Sequence, residues 1–294
     1  MSFSERMKLV SEKRIQLNDI SPELRNRIAN KIEEDFDDKQ ARYVLDILGY
    51  RTVSEKDPLN IMGDENLKNL TTRLIELSWN QVYDVIEHGY NFLKNRYNDY
   101  SGACNSDYAE YNKENCFCEH KDKLTEYSKS FNSILEQEKS GYRIIVGLIT
   151  PITGEVEMAC IEEVSSSKFY SVKNHLQKAL QLYSDRKNPD YENSIKESIS
   201  AVEAMCCIIT GMTGASATLG AALKKLEDNG VVIHSALREA FAKIYGYASD
   251  ANGIRHGGID FKNAPSEDAK YMLISCSAFV NYLIEKHSKI GGTN

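Results

Sequence analysis

Apolar residues recur every three or four positions over most of this chain, and that spacing constrains its fold more than any other feature. Ile195, Ile199, Val202, Cys206 and Ile209 form one such stripe. Ala269, Met272, Leu273, Cys276, Val280, Leu283 and Ile284 form another. A 3.6-residue period places each set on one face of an α-helix, which must then be buried against a neighbour. The chain is therefore expected to be mainly α, with at most a short strand near 142–150, where Tyr142–Thr150 is apolar, β-branched and bounded by Gly141 and Pro151.

Punctuation between the stripes sets the expected elements. Ser21-Pro22-Glu23 opens a helix running to about Glu34, with Ser21 as N-cap and Leu24, Ile28 and Ile32 inward. The acidic run Glu33–Asp38 is expected to solvate a connection, and the next helix carries Tyr43, Val44, Ile47 and Leu48 up to Gly49. A short helix is also expected from Ser4 to Arg14, and a loop over 50–64. From about Glu65 to Tyr97 the period reads as one continuous run with Trp79 inside it as a packing anchor, and Asp84 and His88 share a face. A helix from Leu124 to Glu138 aligns Tyr127, Phe131 and Leu135. The second half adds helices over about 155–164, 167–183, 191–210, 218–226, 235–247 and 266–289. Two helical domains are expected, 1–140 and 166–294, joined by a junction at 141–165.

Charge narrows the functional classes. The net charge of −7 divides as −6 over residues 1–140 and −1 over 141–294, so neither half is the basic stripe of a protein that coats nucleic acid. Any such contact should be local or assembled across a dimer. The longest apolar stretches are about half a membrane span, and no membrane partner is expected. Seven cysteines, an odd number with Cys206 and Cys207 adjacent, do not form a secreted disulfide framework, so the cytoplasm is the expected compartment.

Three sets of residues are candidates for chemistry. Asp250-Ala-Asn252-Gly-Ile-Arg255-His256-Gly-Gly258 lies between two helical runs, with turn-forming residues around an Arg-His pair. Arg255 offers a fixed fork of donors for phosphate, and His256 a group able to exchange protons near neutral pH. The structural alternative pairs Arg255 with a helix-borne carboxylate and leaves His256 to cap a turn. On the helical wheel Glu203 sits at the edge of the 195–209 stripe as a half-buried carboxylate, while Glu197 falls on the far side and is expected to be solvated. Lys196 on the same helix is a candidate for substrate binding. Cys104, Cys116, Cys118 and His120 fall within seventeen residues, but without the two-residue knuckle of common zinc sites. An ordinary stretch of reduced thiols fits that spacing as well, and no cofactor is expected.

The stretch Asn193-Ser-Ile-Lys-Glu-Ser-Ile-Ser-Ala-Val-Glu-Ala204, followed by Thr218-Leu-Gly-Ala-Ala-Leu-Lys-Lys-Leu226, Gly253-Ile-Arg-His256 and Ala278-Phe-Val-Asn-Tyr-Leu283, resembles a HEPN-type domain of bacterial abortive-infection proteins. The first half, from Phe3-Ser4-Glu5-Arg6 to Tyr142-Arg143, resembles the AbiJ N-terminal domain of type four. The resemblance implies a dimerising helical bundle that, in active members, cuts RNA without a metal. It assigns Arg255 to the family arginine and His256 to the polar residue after it. In a nuclease reading of these residues Glu203 would orient Arg255, Asp250 or Asn252 would shape the loop, and Asp250, Asn252 and Lys196 are the candidates to bind substrate. Active members carry a His four to six residues after the Arg. Here those positions hold Ile259, Asp260 and Phe261. Either His256 carries the acid–base work, or the domain binds RNA, a nucleotide, or a phage or regulatory protein without cutting.

Overall fold

In a computed structural model, residues 14–50, 65–101, 117–185, 187–213, 219–249 and 264–291 are described. The chain is mainly α-helical and divides into two compact units, Met1–Pro151 and Ile152–Asn294. The expected helix at 4–14 and loop at 50–64 lie almost wholly outside the described residues.

In the first unit α1 (Pro22–Asp35) begins where the sequence signals it, the Ser21 hydroxyl accepting the Leu24 amide at 3.1 Å. Leu24, Ile28 and Ile32 are fully buried. The acidic run that follows does more than solvate a connection. Asp37 caps α2 (Asp38–Ile47) by accepting the Gln40 amide at 2.7 Å, and Asp38 accepts both the amide and the side-chain NH2 of Asn66. Carboxylates at a helix start satisfy amides that have no partner within the helix.

The run expected to be continuous from Glu65 is two helices, α3 (Glu65–Arg73) and α4 (Trp79–Ser101), so Trp79 opens a helix instead of lying within one. Leu74 and Leu77 stay buried through the break, which is why the apolar period did not reveal it. Arg25 of α1 stabilises the break by donating to the carbonyls of Leu74 and Leu77. The ring of Trp79 stacks on Tyr142 at 6.3 Å and meets Tyr83 edge-on, consistent with a packing anchor.

Helix α5 (Phe117–Gln137) buries Tyr127, Phe131 and Leu135 as expected. The apolar segment after it is a hairpin, not one strand: β1 (Arg143–Ile145) pairs antiparallel with β2 (Leu148–Thr150), Ile144 opposite Ile149. Val146 and Gly147 both take positive φ, the geometry of a tight two-residue hairpin turn. Helix side chains close both outer edges. Asn132 of α5 accepts the Ile144 amide at 2.7 Å and donates to its carbonyl at 2.9 Å, and Glu87 of α4 accepts the Ile149 amide. Two short strands thus have no exposed ladder at these positions to recruit another chain.

The second unit contains α6 (Glu155–Ser165), α7 (Tyr170–Ser184), α8 (Tyr191–Thr210), α9 (Leu219–Lys225), α10 (Ser235–Ser249) and α11 (Ser266–Gly291). Helix α8 is central, packing most extensively against α7 and α11, and α11 also covers α6. Asp190 caps α8 through the Asn193 amide, and Gly211, at φ +67°, ends it. The expected stripes are buried: Val172, Leu176, Leu180 and Tyr183 on α7, Ile195 through Ile209 on α8, and Ala269 through Leu283 on α11. Val156, whose helical spacing with Cys160, Ile161 and Val164 predicts an inward face, is exposed at the start of α6. No helix among the described residues is long and apolar enough to cross a membrane.

Candidate functional site

Of the sequence-selected residues, Glu203 and Lys196 lie on α8, both partly buried. Glu203 is the half-buried carboxylate its wheel position implied. Burial, with the Glu203 charge adding to it, raises the thiol pKa of both Cys206 and Cys207, Cys206 to about 12. Such thiols stay protonated and are poor nucleophiles. Asp250, Asn252, Arg255 and His256 lie outside the described residues, in the sequence between α10 and α11. Cys104 and Cys116 also lie outside them. Cys118 and His120 fall in the first turn of α5, with side chains outside the described set. Among the described residues, no group of three or more His, Cys, Asp or Glu side chains is placed to hold a metal.

The wheel misplaced Glu197. Its side chain is 16% exposed, and it joins two cations from the neighbouring helix α7. Oε2 lies 2.7 Å from Nδ1 of His175, and Oε1 accepts from Nζ of Lys178. Burial alone would raise this carboxyl, but the hydrogen bonds and charges of His175 and Lys178 outweigh it and hold the pKa below the usual carboxylate value. Small side chains bring the helices close enough for this contact. Ser194 and Ser198 are fully buried, and the Ser194 hydroxyl donates to the Ala179 carbonyl across the α7–α8 seam at 2.8 Å. A sequence signal for the cluster did exist. His175 and Lys178 are three apart on α7, and the short Asp185–Asp190 connection returns α8 alongside them. Reading each helix on its own wheel could not detect a pair formed between two helices.

A second site in the other unit joins Asp84, Glu87 and His88 on α4. Burial raises the Glu87 carboxyl to about 7, against the Ile149 amide that favours its charged form and with Asp84 pushing the same way as burial. Burial lowers the pKa of His88, which Asp84 partly opposes. The expected Asp84–His88 pair is therefore part of a half-buried group that includes Glu87, a residue the sequence did not single out.

Comparison with protein families finds a match over the first unit and the start of the second. A family model described as AbiJ N-terminal domain 4 matches residues 1–167, more than half of the chain. The chain belongs to this AbiJ family. No curated protein and no solved structure matches it. The AbiJ match takes in α1 to α5, the hairpin and α6. Glu203, Lys196, the Arg255–His256 pair and the His175–Glu197–Lys178 cluster all lie beyond the AbiJ residues, in sequence that the family match does not cover.

Proposed function

We propose that this AbiJ-like protein is a cytoplasmic abortive-infection effector of anti-phage defence. In this reading its C-terminal region, 166–294, is a HEPN-like bundle that dimerises and cuts RNA without a metal. The family match over residues 1–167 carries the abortive-infection reading. The nuclease reading is supported by Arg255 and His256, adjacent between two helical runs in the other half of the chain. Arg255 would stabilise the charge that builds on phosphorus as a ribose 2′-hydroxyl attacks. His256 would move a proton in the same step, and Glu203 would orient Arg255.

The second reading is a HEPN-like module that binds RNA, a nucleotide or a protein partner without cutting. It is favoured by Ile259, Asp260 and Phe261 standing where active members carry a histidine. Induced expression of the wild type, Arg255→Ala and His256→Ala, with total RNA resolved from each culture, separates the two. Growth arrest with RNA fragments from the wild type, both lost in the variants, supports the nuclease. Arrest without fragments, or no arrest from any version, supports the binding module.

A further inference from the structure

Helix α7 differs in charge from the rest of the fold. Among the described helices of eight or more residues it alone carries no Asp or Glu, while Lys173, His175 and Lys178 lie on it. Its apolar stripe, from Val172 to Tyr183, is buried in the bundle. Tyr170, Ser171, Asn174, Lys178 and Gln181 are its exposed residues. A 3.6-residue period puts Tyr170, Asn174, Lys178 and Gln181 on a single strip, roughly 16 Å long at about 1.5 Å per residue.

Tyr170 is 76% exposed, so its ring is open to a ligand. Lys178 is 61% exposed although its Nζ donates to Glu197, whose side chain is only 16% exposed. An ammonium has three donors. The carboxylate beneath therefore fixes the position of Nζ and leaves donors directed outward. The other oxygen of Glu197 meets Nδ1 of His175, so its charge is divided between two partners. The next acid along the chain, Asp185, is turned into the connection after α7, where it accepts the amides of Lys187 and Asn188.

An open aromatic ring, two primary amides and an anchored cation on one strip match a chain that carries phosphates and flat bases together. Single strands are held by stacking on aromatic rings and by cations along the backbone, and amides add hydrogen bonds to base edges. A duplex hides the base faces that Tyr170 would stack on, and an acidic polypeptide has charge without bases. We propose that the outer face of α7 is a docking strip for single-stranded RNA, with a base stacked on Tyr170 and a phosphodiester on Lys178. This rests on the reading that the chain engages RNA, whether or not it cuts.

The test uses the purified full chain and a fluorescent 2′-O-methyl RNA oligonucleotide of mixed sequence, whose blocked hydroxyl prevents cleavage. Anisotropy is followed at several salt concentrations, and thermal melts of every variant control for folding. Tyr170→Ala should weaken binding about 5- to 150-fold, the span for one stacked base. Lys178→Gln should weaken it and reduce the slope of log affinity against log salt by about 0.7, the share of one phosphate in a single strand. Lys123→Gln removes the same charge from an exposed position on α5 and should leave affinity and slope unchanged. If the wild type binds and either α7 variant binds as tightly, this inference fails while the RNA reading stands. A loss from Lys123→Gln equal to that from Lys178→Gln also overturns it, as does competition by polyglutamate matching that by polyuridylate. A wild type that binds no RNA removes the RNA reading and this inference with it.

Discussion

The Glu87 carboxylate accepts the backbone amide of Ile149 at 2.5 Å, tying α4 to the outer edge of β2. Burial raises that carboxyl to about 7, so it keeps its proton in the folded chain at pH values where the unfolded chain has lost it. Its contribution is fully present below the ordinary glutamate value, is lost as pH rises through about 7, and is flat beyond. The span corresponds to roughly 3 kcal/mol at most. Glu87→Gln, which still accepts the Ile149 amide, is expected to flatten this loss and to melt higher than the wild type at about pH 8. Thermal melts at a series of pH values check it.

The hairpin turn makes opposite demands on its two residues. Gly147, at φ +85°, lies against Tyr90, and a Cβ there would overlap the ring. Gly147→Ala should destabilise by about 1–3 kcal/mol. Val146, at φ +53°, is a β-branched residue in the left-handed region. Val146→Asn should stabilise by about 0.5–1 kcal/mol, because Asn-Gly suits this turn. Denaturant midpoints of the two variants should move in opposite directions.

Arg25 donates to both carbonyls exposed where α3 gives way to α4. Its partial burial lowers its pKa without removing its charge. Arg25→Met keeps much of the stem but leaves Leu74 and Leu77 carbonyls without this donor, at an expected cost of about 1–3 kcal/mol. Urea unfolding measures that cost. Amide exchange should quicken at the α3–α4 break.

Glu197 predicts an acid limb of stability. Burial raises its carboxyl, but the hydrogen bonds and charges of His175 and Lys178 outweigh that and leave the pKa below the ordinary value. Its contribution is therefore present above the ordinary glutamate range and is lost as pH falls through the depressed value. Melting temperature of the wild type should fall more steeply than that of Glu197→Gln on acidification below that range. Parallel curves would rule out the pair as a source of acid sensitivity.

Sequence alone determined the helical class, the buried stripes and several element ends. The Ser21-Pro22 start, the Asp190 cap and the stop at Gly211 each act through bonds between near neighbours, so composition and spacing reveal them. Tertiary structure decided what depends on residues far apart. The α3–α4 break rests on Arg25, about fifty positions earlier, and the hairpin edges rest on Glu87 and Asn132. Glu197 is the clearest case. Its helical wheel places it opposite the apolar stripe, and only the approach of α7 across Ser194 and Ala179 turns that face into the setting of a histidine and a lysine. A wheel describes one helix in isolation, whereas a side chain's environment is set by every helix packed against it.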